Sequence, residues 1–167
     1  MKMTTTTGKQ ALQRCQVFST LDDVALDAVA ASLIEKELDA GAIIFREGDP
    51  AVELLILQEG KVALQMAASP AEALPSRRIT VDVIGANEIV GWSAVVEPFR
   101  YTLSGVCLQD TRALSISSNK LRWLMDDNRA IGFEILTGLS RVIATRLSDT
   151  RQVLVSERLP IAPPSPQ

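Results

Sequence analysis

The chain has 167 residues, of which 47% are hydrophobic and 22% are charged, and its formal net charge is −3. This length suits one domain, and the acidic balance argues against nucleic acid as a partner because phosphate contacts need a concentrated basic surface. Histidine is absent, which excludes Ser-His-Asp catalysis and histidine-ligated metals, and the two cysteines, Cys15 and Cys107, are predicted to be buried thiols.

The first predicted elements are N-terminal helices over residues 10–34, which follow a disordered N-terminus over residues 1–9. Thr20 is a predicted N-cap, because Asp22 and Asp23 follow it where the helix dipole favours negative charge. The N-terminus lacks the apolar run of a secretory signal, and no apolar run approaches the ~18 residues of a membrane helix. We therefore expect a cytoplasmic protein without membrane contact.

Short alternating strands, punctuated by glycine, are predicted over residues 35–117. The strands "ELLILQEG" (53–60) and "KVALQMAAS" (61–69) meet at a glycine turn and are predicted to pair as a hairpin. A last hairpin is predicted for "YTLSGVCLQD" and "TRALSIS" around Gln109-Asp110. Seven or eight strands at this spacing indicate a β-sandwich or β-roll, so the predicted fold class is mainly β with flanking helices.

Helices return over residues 118–158, and a disordered proline-rich tail is predicted over residues 159–167. Ser118 and Asn128 are the predicted N-caps, the second of a helix from residue 129 to about 158, which would span roughly 45 Å. A small β-roll cannot cover that length, so part of its apolar stripe should contact a second copy of the chain. This dimer and lid stripe consists of Leu136, Leu139, Ile143, Leu147 and Leu154.

The whole layout resembles the cyclic nucleotide-binding domain, a family that includes catabolite-activator regulators and kinase regulatory subunits. The segment "LDAGAIIFREGDPAVELLILQEGKVAL" is similar to the opening strands of that family, with Gly41, Gly48 and Gly60 at the turns. The segment "DVIGANEIVG" is similar to the one that leads into its phosphate-binding cassette. The resemblance covers about residues 10–155, and it implies a double-stranded β-helix, or jelly-roll-like β-roll, with a long C-terminal helix.

In the family's cassette, a glycine and a short helix hold the phosphate, a glutamate accepts the ribose 2′-OH, and an arginine neutralises the phosphate. In "GWSAVVEPFRYT" (91–102), Gly91 matches the glycine and Ala94 a small residue of the helix, whereas Trp92 stands at the glutamate position. An indole has an N–H donor and no acceptor, so the ribose contact is lost. Ordinary cAMP or cGMP binding is therefore disfavoured.

The arginine position can be assigned in two ways. Counting without gaps from the glycine places Tyr101 there, and Arg100 reaches it only if the loop is one residue shorter. In that case Thr102 stands where the family has a small or hydroxyl residue beside the phosphate. The resemblance implies a candidate ligand site formed by Gly91, Trp92, Ser93, Ala94, Arg100, Tyr101 and Thr102.

Three functions remain open from the sequence. The first is a non-enzymatic sensor module that binds a cyclic nucleotide (cAMP or cGMP) or another small anionic ligand and signals through its C-terminal helix to a second copy or an unidentified protein partner. The second is a ligand-free dimeric scaffold in which Trp92 fills the site. The third, an enzyme or metal protein, is disfavoured because carboxylates without histidine rarely form such sites.

No catalytic residue, no metal and no certain cofactor are predicted. Only "RLPIAPPSPQ" follows the long helix, so we expect no DNA-binding domain and disfavour a self-contained transcription factor. We therefore expect the domain to act through its oligomeric state or through a partner.

Overall fold

The computed structural model describes residues 5–67 and 78–158. Within these residues the chain forms two helices, eight strands with one short 3-10 helix between β6 and β7, and two further helices. Their bounds are α1 (Thr5–Arg14), α2 (Asp23–Ala30), β1 (Ile34–Leu38), β2 (Ile43–Phe45), β3 (Glu53–Glu59), β4 (Val62–Ala67), β5 (Arg78–Ile84), β6 (Ile89–Val90), the 3-10 helix (Trp92–Ala94), β7 (Ser104–Cys107), β8 (Thr111–Ser117), α3 (Ser118–Asp127) and α4 (Arg129–Arg158).

The strands form two four-stranded antiparallel sheets, in the orders β1-β8-β3-β6 and β2-β7-β4-β5. Apolar side chains of both sheets face one core, with long buried runs in the central strands β3 and β8. Buried side chains of all four helices join this core. The predicted fold class, a β-roll with N-terminal helices and a long C-terminal helix, is confirmed.

Both predicted hairpins are wrong. β3 pairs with β6 and β8, whereas β4 pairs with β5 and β7, so the two strands beside Gly60 lie in different sheets. In the same way β7 pairs with β2 and β4, and β8 pairs with β1 and β3. Alternation and turn residues locate a strand, but its partner is decided by which sheet must cover each side of the shared core.

The first helix begins at Thr5, so the predicted disorder of residues 1–9 is wrong for its second half. Lys9 joins this helix to α2, since its Nζ lies 3.1 Å from carboxylate oxygens of both Asp23 and Asp27. Leu12, one turn further on, is fully buried in the core. These contacts make the helix part of the domain. Residues 1–4 and the predicted disordered tail at 159–167 lie outside the described residues.

Two of the three predicted helix caps lie at other residues. Asp22, and not Thr20, is the N-cap of α2, because its carboxylate accepts a backbone N–H three residues on at 2.8 Å. Ser117, and not Ser118, caps α3 in the same manner. Asn128 caps α4 as predicted, with its Oδ1 accepting two N–H groups of the first turn at 3.0 and 3.4 Å. Each cap residue itself has an extended backbone, and the sequence alone does not show where that conformation falls.

The first third of α4 packs against the core through Ile131, Ile135 and Leu139. Close packing explains both helical glycines: a Cβ on Gly132 would lie 2.8 Å from the Met125 carbonyl, and one on Gly138 would meet the backbone at residue 17. Both cysteines are buried thiols as predicted, and burial raises the pKa of Cys15 to about 11. In the part of the chain that the structure describes, no helix is long and apolar enough to cross a bilayer.

We expect Gly60→Ala to lower the free energy of unfolding by at least about 1–3 kcal/mol, because φ is +98° and a Cβ would lie 2.7 Å from Thr111 Cα. Gly41→Ala is the matched control, since its φ is +83° but nothing lies within 4 Å of the added carbon. Urea denaturation of both variants measures the difference. Equal losses would contradict the steric role of the turn between the sheets.

Candidate functional site

A small cavity lies where the cassette segment faces α4. Its volume is about 30 Å³, which is room for about one or two water molecules and far below the roughly 300–1,000 Å³ of a typical ligand pocket. Five of the seven predicted site residues line it. The lining residues are Phe45, Leu64, Gly91, Trp92, Ser93, Tyr101, Thr102, Leu103 and Arg146.

Gly91 is required by the packing of the cassette turn, whatever binds there. It precedes the 3-10 helix with φ of +83°, a conformation that side chains with a Cβ rarely adopt. A Cβ would also lie 2.8 Å from the carbonyl of Glu53 and 3.2 Å from the Tyr101 ring. Of the other predicted residues in the 3-10 helix, Ser93 is buried at the cavity wall, and Ala94 is buried in the core behind it.

Tyr101 has a structural role at the position where the ungapped count places the family's arginine. Its ring stacks on Phe45, with centroids 4.0 Å apart and planes inclined by 12°. Its hydroxyl donates to the carbonyl of Glu53 at 3.0 Å, and burial raises its pKa, so it remains a protonated donor. The ungapped assignment therefore places an uncharged aromatic residue, and no cation, at this wall of the cavity.

Arg100 is exposed and is not among the residues that line the cavity. It forms an isolated antiparallel bridge with Pro50, and its Nη1 donates to the carbonyl of Gly48 at 2.7 Å. Successive side chains of an extended segment point in opposite directions, so the inward Tyr101 turns Arg100 outward. The one-residue slip that would bring Arg100 to the phosphate position is absent from this structure, and Thr102 lines the cavity without it.

Arg146 is the cation at the cavity, and the sequence analysis missed it. Its side chain projects from α4 and is 13% exposed. Nη2 donates to the carbonyl of Ile89 at 2.8 Å, Nε lies 3.6 Å from the carboxylate of Asp82, and the guanidinium lies 5.0 Å from the Trp92 ring centroid. Burial lowers the pKa of Arg146, while the charges of Asp82 and Glu88 raise it. Nothing in the local sequence distinguishes it from the other arginines of a mostly polar helix.

A second arginine joins the cassette loop to α3. The guanidinium of Arg122 lies 4.2 Å from the Phe99 ring centroid, and its Nη1 lies 3.4 Å from the carbonyl of Ala94. Asn119 accepts from its other terminal nitrogen at 2.9 Å. Both C-terminal helices therefore contact the cassette, α3 through Arg122 and α4 through Arg146.

The predicted stripe of α4 is partly buried in the core and partly exposed to solvent. Leu139 is buried in the core, which corrects its assignment to a dimer face. Leu136, Ile143 and Leu147 are 48%, 36% and 49% exposed. Their spacing of seven and then four residues keeps them on one side of the helix, as in a coiled-coil seam. The side chain of Leu154 lies outside the described part of the structure.

The family model of the cyclic nucleotide-binding domain matches residues 35–128. A CRP-like cAMP-activated global transcriptional regulator of Mycobacterium tuberculosis is 27% identical over 146 residues, which are 87% of this chain and 61% of the regulator. The chain thus spans less than two thirds of that relative.

Two solved structures share the fold. One is a candidate cyclic nucleotide-binding protein from Geobacter metallireducens, at 27% identity and a TM-score of 0.72, with 83% of this chain and 97% of that one covered. The other is a cyclic nucleotide-binding domain from Methylobacillus flagellatus, with a TM-score of 0.75 over 95% of this chain and 86% of that one. At 16% identity the second likeness concerns the fold alone.

We expect Tyr101→Phe to lower the free energy of unfolding by about 0.5–1.5 kcal/mol, because the Glu53 carbonyl loses its donor. Tyr101→Leu also loses the stacked ring and should lose about 0.5–1.5 kcal/mol more. Both values follow from urea denaturation. If both variants were as stable as the wild type, Tyr101 would not have the structural role inferred here.

Proposed function

The chain belongs to the cyclic nucleotide-binding domain family, and we propose that it is a non-enzymatic regulatory module that senses a small anionic ligand in its β-roll. The observation that carries this proposal is a single cavity lined by both the cassette and α4, the latter through Arg146. A ligand in this cavity contacts both elements, so its affinity depends on how α4 is arranged. Such a difference in affinity between two arrangements is what signalling requires.

Three features disfavour an ordinary cyclic nucleotide as the ligand. Trp92 supplies no acceptor for a ribose hydroxyl, Tyr101 supplies no charge, and the cavity is small. Losing one charge-assisted hydrogen bond costs about 1.5–3 kcal/mol, or roughly 10- to 150-fold in affinity. The ligand class that fits best is a small molecule with an anionic group.

The proposed output is a change in a homodimer formed through α4. This helix has 30 residues, about 45 Å, and the last of its residues to pack against the core are the buried Leu139 and the partly buried Val142. Beyond that point the exposed Ile143 and Leu147 continue the seam that begins at Leu136. Burying such a seam against a second copy is the usual way to remove apolar side chains of a projecting helix from water.

A ligand-free dimeric scaffold is the second candidate. The small volume of the cavity favours it, because the Trp92 indole of the cassette and the Arg146 guanidinium of α4 leave little space between them. Saturable binding of any small anion at this cavity decides for the sensor, and its absence across a panel decides for the scaffold.

We expect calorimetric titration of the wild type with cAMP or cGMP to show no saturation up to about 1 mM. Trp92→Glu places a carboxylate at the position of the family's ribose contact, and should gain about 10- to 150-fold in cAMP affinity. Trp92→Ala is the control, because it opens the same space without an acceptor and should gain less. Micromolar binding by the wild type would contradict the proposed ligand class.

We expect the wild type to sediment as a dimer and Leu147→Glu as a monomer, because a buried carboxylate in the seam lacks a partner. Ser148→Glu is the matched control, since its side chain is turned ~100° away from that of Leu147. Sedimentation velocity over a range of concentrations measures both. A monomeric wild type, or equal loss of the dimer in both variants, would remove α4 as the interface.

A further inference from the structure

Arg146 occupies the junction of three cavities. It lines the cassette cavity, a second cavity of about 110 Å³ beside the turn after α1, and a third of about 310 Å³ between β5 and the second half of α4. It is the residue common to the three linings. A cation at such a place is largely removed from bulk water, and removing a charge from water is costly unless it is well paired.

The partners of this guanidinium leave part of its hydrogen-bonding capacity unused, although the carboxylates of Asp82 and Glu88 line a neighbouring cavity with it. A guanidinium has five N–H donors, and among the described residues two polar partners contact it, the carbonyl of Ile89 and the carboxylate of Asp82. The separation from Asp82 is 3.6 Å, longer than a direct hydrogen bond, and that carboxylate is 38% exposed. Asp82 also accepts the N–H of Val83 at 2.8 Å. The arginine therefore keeps donor capacity for a better anionic partner.

The lining of the cassette cavity contains one charged side chain among its described residues, and it is Arg146. Ser93 and Thr102 contribute hydroxyl groups to the same walls. Arg100, the cation that the sequence suggested, is engaged with Gly48 on the outer side of the loop. An oxyanion that enters the cavity thus meets its positive charge from α4 and not from the cassette.

On the basis of the proposed function, we propose that Arg146 binds the anionic group of the ligand, and that Asp82 competes with the ligand for it. The shared chemistry is an oxyanion, either phosphate or carboxylate, which a guanidinium binds through two parallel hydrogen bonds. In the absence of ligand, Asp82 and the Ile89 carbonyl hold the arginine against Trp92. Ligand binding exchanges the carboxylate for the ligand oxyanion and displaces the guanidinium and the Trp92 indole, because the cavity of about 30 Å³ is too small for the oxyanion without that movement.

This assignment also explains how the ligand reaches the dimer seam. Arg146 lies directly before Leu147 and one turn after Ile143, both of which belong to the exposed seam. We expect the ligand's hold on the guanidinium to favour one position of the part of α4 that carries the seam. The ligand's charge and the helix arrangement are coupled through one side chain.

The test uses Trp92 as its reporter. The chain has two tryptophans, so Trp123→Phe leaves Trp92 as the single tryptophan, 5.0 Å from the cation, and selective excitation of the indole keeps the signal of Tyr101 out. Inorganic phosphate and acetate are titrated separately into this background, which distinguishes phosphate from carboxylate recognition. We expect saturable fluorescence change with one of them, and a loss of about 10- to 150-fold in affinity for Arg146→Gln.

Three further variants separate recognition from folding. Arg100→Gln is the matched control and should bind as the background does, because Arg100 is outside the cavity. Asp82→Asn should tighten binding, since it removes the competing charge. Arg146→Lys keeps the charge without the planar fork and should bind with intermediate affinity, while urea denaturation verifies that each variant is folded.

The outcomes distinguish the two proposals. Saturable binding that Arg146→Gln leaves unchanged, or that Arg100→Gln abolishes, would overturn the role of Arg146 and leave the sensor function standing. Weaker binding in Asp82→Asn would overturn the competition. An absence of binding by either anion to the folded background protein would overturn the sensor function, and the assignment of Arg146 with it.

Discussion

Strands that follow one another in the chain belong mostly to different sheets, and the other elements take their positions from this arrangement. β1, β3, β6 and β8 form one sheet and β2, β4, β5 and β7 the other, so each pair of consecutive strands except β4 and β5 is divided between the two sheets. The crossing at Gly60 is too tight for a side chain. The cassette follows β6 at another crossing, which places it between the sheets and within reach of α4.

The same geometry decides which side chains can meet a ligand. The backbone at residues 99–101 pairs with residues 48–51, through bonds such as Tyr101 N–H to the Asp49 carbonyl at 2.9 Å. In that extended pairing an inward aromatic ring requires an outward Arg100. The cassette thus gains a rigid wall, stacked on Phe45, at the cost of its own cation. A positive charge comes instead from a helix that begins 28 residues after Tyr101.

Because the cation comes from α4 and not from the cassette, the proposed sensor has a direct contact between its ligand site and the helix that forms the proposed dimer. When a cassette supplies its own arginine, the C-terminal helix must detect the ligand by other contacts. Here the cation belongs to α4 and lies 5.0 Å from the ring centroid of Trp92, which stands where the resemblance places the family's glutamate. The two departures from the family pattern, Trp92 at the glutamate position and a cation supplied by α4, therefore contact each other. This contact favours a ligand that is smaller than a cyclic nucleotide and is recognised by its charge.

The sequence by itself determined the fold class, the approximate strand positions and the cap at Asn128, because alternation, glycine turns and capping are local patterns, whereas the cassette segment was assigned from the resemblance to the family. Only the tertiary structure decided the strand partners, the burial of Leu139 and the exposure of Leu136 on the same helix. It also decided that Arg146 lies at the cavity and Arg100 does not. These features depend on how segments that are distant in the sequence pack around one core, and a local sequence pattern does not specify that packing.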